Sequence, residues 1–328
     1  MRAVIVGGAG FVGLNIAEAM LAAGHDVTVL DRAAVPAAAT AAFAGLPGHL
    51  SSVQADIVDT AAVAAALAGA SVLVWGAAIT ADAARDAAEP ARILAVNLAA
   101  LVPVLEAARA AGVARIINLS SAAAYGFAPP DAGPLTEDAP VDPVSLYAVT
   151  KFASERVAAR LADLWAMDLV NLRLSAAWGP WERAGGVRDT PSPQAQIMLA
   201  ASAGGPALLA RPGVRDWVYA PDVAAAVLAV ATAASLPQRL YNVSTPRVSA
   251  ALEFGERIAA RRPGFVCRLA RAGEAPTIDL HAPMDRAALA TERLAADLGW
   301  RSSGDFEAAV AAYAGWWDRH GSAMMEHA

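Results

Sequence analysis

Along the first 175 residues, short and almost wholly apolar runs alternate with longer runs in which alanine, leucine and valine share the chain with Arg, Asp and Glu. The short runs predict strands over 2–6, 26–30, 50–55, 71–75, 114–119 and 169–174. Strands apolar on both faces point to a parallel sheet covered on both sides by helices. The longer runs supply those helices over 11–23, 61–68, 91–111 and 146–165. Thr60 is the expected N-cap of the second, and Gly24 and Gly112 the stops of the first and third. The uncharged stretch that begins at Ala33 is broken by Pro36, Gly45, Pro47 and Gly48, and it reads as loop.

The pattern changes after Trp178-Gly179-Pro180. Residues 181–193 are rich in Gly, Pro, Arg and Asp without periodicity, so they read as loop. Shorter mixed elements follow: helices over 194–203, 221–232, 250–260 and 305–319, with strand-like pieces at 240–243 and 265–269. The expected fold is α/β, a Rossmann-type doubly wound parallel sheet over residues 1–175. A smaller C-terminal α/β part over 176–328, intertwined with it, packs against the carboxyl ends of the strands. Substrate belongs in the crevice between them.

Composition narrows the function. Much of the 57% hydrophobic content is alanine, and the chain contains no run of about 18 strongly apolar residues, so no membrane span is expected. The chain runs from Met1-Arg2 directly into a strand, without the look of a signal peptide. One cysteine, Cys267, excludes an internal disulfide and a cysteine-based metal cluster, and no metal site is expected. A net charge of −6 with no basic block leaves no footprint for nucleic acid. These features describe a soluble cytoplasmic protein.

The first strand runs into Gly7-Gly8-Ala9-Gly10-Phe11-Val12-Gly13, a glycine turn that opens a helix. Such a turn brings backbone close to a pyrophosphate and aims the helix N-terminus at it. The second strand ends at Asp31, whose carboxylate suits the two ribose hydroxyls and repels a 2′-phosphate, favouring NAD over NADP. Arg32 beside it keeps NADP open. Asp56 and Ile57, just past the third strand, are either an adenine contact or a plain turn.

Lys151 is the sole lysine among 25 basic residues. Arginine replaces lysine freely on a solvated surface but not where a compact ammonium sits beside a titrating group. It stands four residues after Tyr147, one helical turn, so the two share a face. An ammonium at that distance favours phenolate and draws a phenol toward use as a base.

The glycine turn, Asp31, Asn97, Ser120-Ser121-Ala122-Ala123-Ala124-Tyr125-Gly126, Tyr147 with Lys151, and Arg215-Asp216-Trp217-Val218-Tyr219 occur in the order found in extended short-chain dehydrogenases/reductases. The chain resembles the NAD-dependent epimerase/dehydratase family over nearly its whole length. The likeness is specific in the first 220 residues and diffuse later, where Leu298-Gly299-Trp300 is its main marker. The resemblance implies a catalytic set of Ser121, Tyr147 and Lys151, with Ser121 chosen because the active hydroxyl precedes the Tyr-Gly pair by four residues. It implies Asn97 near the cofactor, with a buried asparagine satisfying backbone as the equal alternative, Tyr147 and Lys151 also facing the cofactor, and Arg215 either on a substrate phosphate or paired with Asp216 or Asp222. Ser120, Trp75 and Arg173 read as framework residues.

Two departures bear on substrate. Ala176 stands where sugar-nucleotide 4-epimerases commonly carry an asparagine, and no second arginine is evident unless Arg286 serves. Arg183 and Arg188 either bind a carboxylate or belong to a solvated loop. Ala122 and Ala123 replace the Asp-Glu pair of the family's dehydratases. The expectation is therefore hydride abstraction from a secondary alcohol of a small sugar-like substrate, with a dehydrogenase on a sugar, sugar acid or lactone slightly favoured. A nucleotide-sugar 4-epimerase, of the UDP-glucose 4-epimerase kind, is the alternative, and a non-catalytic NAD-binding protein a remote third. Relatives commonly form homodimers through the helices after strands four and five, and the alanine-rich faces of 91–111 and 148–162 suit that arrangement.

Overall fold

A computed structural model describes residues 1–183, 191–282 and 284–325. Six strands come from the first 175 residues: β1 (Arg2–Val6), β2 (Asp26–Asp31), β3 (Leu50–Gln54), β4 (Val72–Trp75), β5 (Arg115–Ser121) and β6 (Leu169–Leu174). A seventh, Leu240–Val243, joins the edge of β6. All pairings in this sheet are parallel, in the order Leu240–Val243, β6, β5, β4, β1, β2, β3. The order reverses between β1 and β4, which opens a crevice at their carboxyl ends.

The period of two along each strand sorts side chains to two cores. Ala3, Ile5, Val74, Ile117 and Leu119 face one core, shared with α1 (Phe11–Ala22), α2 (Ala37–Phe43) and the C-terminal helices. Val4, Val6, Leu73, Trp75 and Ile116 face the other. That side is covered by α3 (Thr60–Leu67) and, beyond the short α4 (Ala83–Ala88) and α5 (Pro90–Leu94), by α6 (Leu101–Ala110) and α7 (Leu146–Trp165). Each fully buried Ile, Leu or Val contributes about 1.5–3 kcal/mol.

Several elements differ from expectation. The segment after Ala33 contains α2, held by Phe43, whose ring meets Trp181 edge-on at 5.4 Å. Asp59, not Thr60, caps α3, its Oδ1 accepting from the Ala62 N–H at 3.0 Å. The helix expected over 91–111 is broken by a π turn, Ala95–Ala99. By length and composition, the path Pro90–Ala110 is the one stretch among the described residues able to cross a membrane. Here Leu101, Val104 and Leu105 bury one side of it in the second core, and Ile93 is buried as well. The final helix runs Phe306–Met325, longer than expected.

That last helix is anchored by aromatic packing. Tyr313 and Trp316 join Trp178, Trp181 and Phe254 in a chain of ring contacts with centroids 5.1–6.2 Å apart. The cluster fixes the turn after β6, from which the chain returns toward the glycine turn.

Candidate active site

The glycine turn has the shape a dinucleotide requires. Gly7 has φ +79°, and a Cβ there would lie 2.6 Å from the Ala77 nitrogen at the end of the neighbouring strand. A Cβ on Gly13 would meet the Gly7 oxygen at 2.6 Å, so α1 packs directly on the turn. Helix α1 begins after Gly10 without a side-chain cap, leaving its N-terminus to a ligand. Asp31 closes the turn from β2: Oδ2 accepts from the Ala9 N–H at 3.1 Å and Oδ1 from the Ala33 N–H at 2.9 Å. A carboxylate has acceptor capacity beyond two bonds, so ribose hydroxyls still find sites on it. Arg32 is exposed next door. Asp56 is an exposed turn residue accepting from the Val58 N–H at 3.2 Å, and Ile57 is buried in the second core.

Asn97 is fully buried on the π turn. Its Oδ1 accepts from the Ile79 N–H at 2.7 Å, while Nδ2 donates to the Ile79 oxygen at 3.0 Å and to Thr150 Oγ1 at 3.2 Å. The side chain thus ties the segment after β4 to α7, between the positions of Tyr147 and Lys151. Trp75, at the end of β4, lies wholly in the core.

Helix α7 is capped by Ser145, whose hydroxyl accepts from the Ala148 N–H at 3.1 Å. This starts the helix just before Tyr147. The half-buried Tyr147 ring has its centroid 6.0 Å from Lys151 Nζ. Lys151 is buried and donates to the Leu119 carbonyl of β5 at 2.8 Å. Burial pulls its ammonium down to about 8, opposed by the negative charge of Glu155. Ser121 ends β5, its Oγ accepting from the Ala123 N–H at 3.1 Å. A hydroxyl that accepts from backbone keeps its own proton to donate to a substrate oxygen.

Behind this set lies a buried pair that sequence reasoning missed. Arg173 Nε and Nη2 donate to Glu155 Oε1 and Oε2 at 2.9 and 2.7 Å, with both side chains about 4% exposed. Ser120 donates to the same carboxylate, rather than to backbone as a strand-end residue would. The available signal was spacing: Glu155 follows Lys151 by one more turn of α7.

On the substrate side, Arg215 lies over the Trp217 ring at 5.2 Å, and no ion pair from its guanidinium occurs among the described residues. Burial pulls it down to about 10, with Arg286 and Arg211 adding repulsion and Asp216 opposing. Asp216 is committed elsewhere: Oδ2 accepts from Ser244 Oγ at 2.6 Å and from the Leu289 N–H at 3.0 Å. Arg286 Nη1 donates to the Ala122 oxygen at 2.8 Å, and Nη2 reaches Ser175 and Asp216 at 3.4 Å. Arg211 is ion-paired to Asp285. Arg286 therefore sits beside Arg215 and touches the residue after the active hydroxyl. Arg188 lies outside the described residues.

A parallel sheet with this glycine turn, a carboxylate closing it, and a serine, tyrosine and lysine at the carboxyl ends of the strands defines a dinucleotide-dependent enzyme. Residues 3–244 match the model of the NAD dependent epimerase/dehydratase family, and the chain belongs to that family. NAD is accordingly its cofactor, and the cradle around Gly7, Gly10 and Gly13 fits it.

A UDP-glucose 4-epimerase of Mycolicibacterium smegmatis is 30% identical over 247 residues, covering 75% of this chain and 77% of that one. A dTDP-glucose 4,6-dehydratase of Mycobacterium tuberculosis is 30% identical over 232 residues, covering 69% and 67%. Among solved structures, MoeE5 in complex with UDP-glucuronic acid and NAD superposes with TM-score 0.77 at 24% identity, covering 97% and 99% of the chains. The UDP-glucose 4-epimerase of Thermotoga maritima with UDP-glucose gives 0.79 at 21%, covering 97% and 99%. These superpositions establish the fold.

Proposed function

We propose that the chain is an NAD-dependent 4-epimerase of a nucleoside-diphosphate sugar, with Ser121, Tyr147 and Lys151 as its catalytic set. The observation that carries this reading is the Arg215 cluster. Among the described residues, Arg211, Arg215 and Arg286 face two carboxylates, Asp216 and Asp285, which leaves the charge of Arg215 without an ion-pair partner there. A half-buried guanidinium without a carboxylate is favourably completed by a ligand anion. A diphosphate matches the forked donors of two neighbouring guanidiniums. The smaller-substrate expectation rested partly on the lack of a second arginine, and Arg286 beside Arg215 removes that ground. The relatives named above, 4-epimerases among them, support the nucleotide-sugar alternative over a dehydrogenase on a free sugar. Ala122 and Ala123 supply no carboxylate to expel water, which argues against dehydration.

In this reading the Tyr147 phenolate takes the proton of the 4-hydroxyl. Ser121 donates to the same oxygen as it becomes a carbonyl, and the Lys151 charge holds the phenolate. Bound NAD supplies a reversible hydride acceptor at the sugar carbon. Inversion requires the hexose to present its other face while its diphosphate stays anchored, and Arg215 is that anchor.

The test is incubation of purified protein with UDP-glucose, UDP-galactose and other nucleotide hexoses, followed by anion-exchange separation of the products. Interconversion without net reduced nicotinamide supports the reading. No interconversion of any nucleotide hexose, together with stoichiometric reduced cofactor from a free sugar, sugar acid or lactone, overturns it.

A further inference from the structure

The segment after β6 returns to the glycine turn in a strained but firmly held conformation. Trp181 has φ +66°, a region that strains a bulky residue and persists only where the surroundings enforce it. They do so here. Asn15 of α1 donates to the Pro180 carbonyl at 2.8 Å. The fully buried Trp181 donates through Nε1 to Glu18, also of α1, at 2.7 Å. Glu182 is buried and accepts from the Ser192 N–H at 2.7 Å and from its hydroxyl.

The residue these contacts deliver is Arg183. Its Nη2 donates to the Ala9 carbonyl, at the tip of the glycine turn, at 2.8 Å. Ala9 is also the residue whose N–H is bound by Asp31, and the Asp31 charge acts on the guanidinium. Nη1 of the same planar group is shielded from water and has no hydrogen-bond partner among the described residues. A buried, unpaired donor on a cation is costly to leave unmade. It lies at the turn between the uncapped N-terminus of α1 and the ribose-binding carboxylate.

We infer that Arg183 is a clamp on the dinucleotide, its Nη1 donating to a pyrophosphate oxygen of NAD while Nη2 stays on the Ala9 carbonyl. The clamp belongs to the C-terminal part of the chain, so cofactor binding ties that part to the glycine turn. It rests on the cofactor site alone and stands whichever sugar is the substrate.

The test uses the full chain freed of bound nucleotide, with calorimetric titration of adenosine, ADP and NAD against wild type, Arg183→Leu and Arg183→Gln. Arg183→Gln keeps a donor for Ala9, so it separates the charge from the shape of the turn. Both variants should weaken ADP and NAD about ten- to hundredfold, the worth of one charged hydrogen bond, and leave adenosine unchanged. Wild-type affinity for ADP and NAD in both variants overturns the clamp. So does an equal loss for adenosine, ADP and NAD, which marks a change in the turn and not a lost phosphate contact. If Arg183→Leu fails to fold, Arg183→Gln decides the matter by the same comparison.

Discussion

Replacing Lys151 by methionine should separate stability from catalysis. Burial lowers the ammonium from 10.5 to about 8. At about 1.36 kcal/mol per pH unit, the charged lysine costs the native state about 3 kcal/mol at neutral pH. Methionine removes that cost but leaves the Leu119 carbonyl without its donor, a loss of about 1–3 kcal/mol. The two nearly cancel, so Lys151→Met should be as stable as wild type at pH 7, or about 1 kcal/mol more so. The sign then reverses with pH. Between about 8 and 10.5 the unfolded chain holds the Lys151 proton and the native chain does not, so wild-type stability rises with pH through that window. The variant lacks this gain. Urea unfolding at pH 7 and pH 10 measures it: the difference between the two proteins should shift toward wild type by about 3 kcal/mol. Turnover should fall at least about a thousandfold in the variant. In wild type it should decline as pH rises through about 8, where the ammonium is lost. A stability difference that stays flat with pH would refute the buried-charge account, and retained turnover would refute the catalytic one.

Tyr147→Phe should lower turnover about 10²–10⁴-fold while NAD affinity, read by titration, stays within about threefold. Gly7→Ala forces a side chain into positive φ against Ala77, and should cost at least about 1–3 kcal/mol in chemical unfolding along with most NAD binding. Arg215→Met removes a half-buried cation that has no ion-pair partner among the described residues. It should raise KM for a nucleotide hexose about tenfold or more with little loss of thermal stability, whereas a large drop in Tm with KM unchanged would make Arg215 structural.

What was legible in the sequence was local. β1 and β6 announce themselves as short, nearly continuous apolar runs, α7 by its longer mixed run, and the glycine turn because its steric needs sit within seven residues. Tyr147 and Lys151 stand one helical turn apart, so their pairing is readable without a fold. The missed features join distant parts. α2 lies in a stretch whose Gly and Pro suggested loop, and Phe43 holds it through Trp181, which no local pattern reveals. Asn97 turns inward because α5 and α6 meet through a π turn, a backbone event with no residue signature. Arg183 reaches Ala9 across 174 positions of sequence, and Arg286 reaches Ala122 across 164. Charge alone could not tell either from a solvated surface arginine.

The seventh strand bears on how the chain assembles. Leu240–Val243 pairs with β6 after an excursion of more than sixty residues, so the sheet stays open at that edge until the ribosome has reached residue 243. Until then Val170 and Leu172 sit on a bare strand edge, which recruits other chains readily. A fragment cut after residue 175 should therefore aggregate rather than persist as an isolated dinucleotide-binding module. On that expectation the two halves of the sequence fold as one unit.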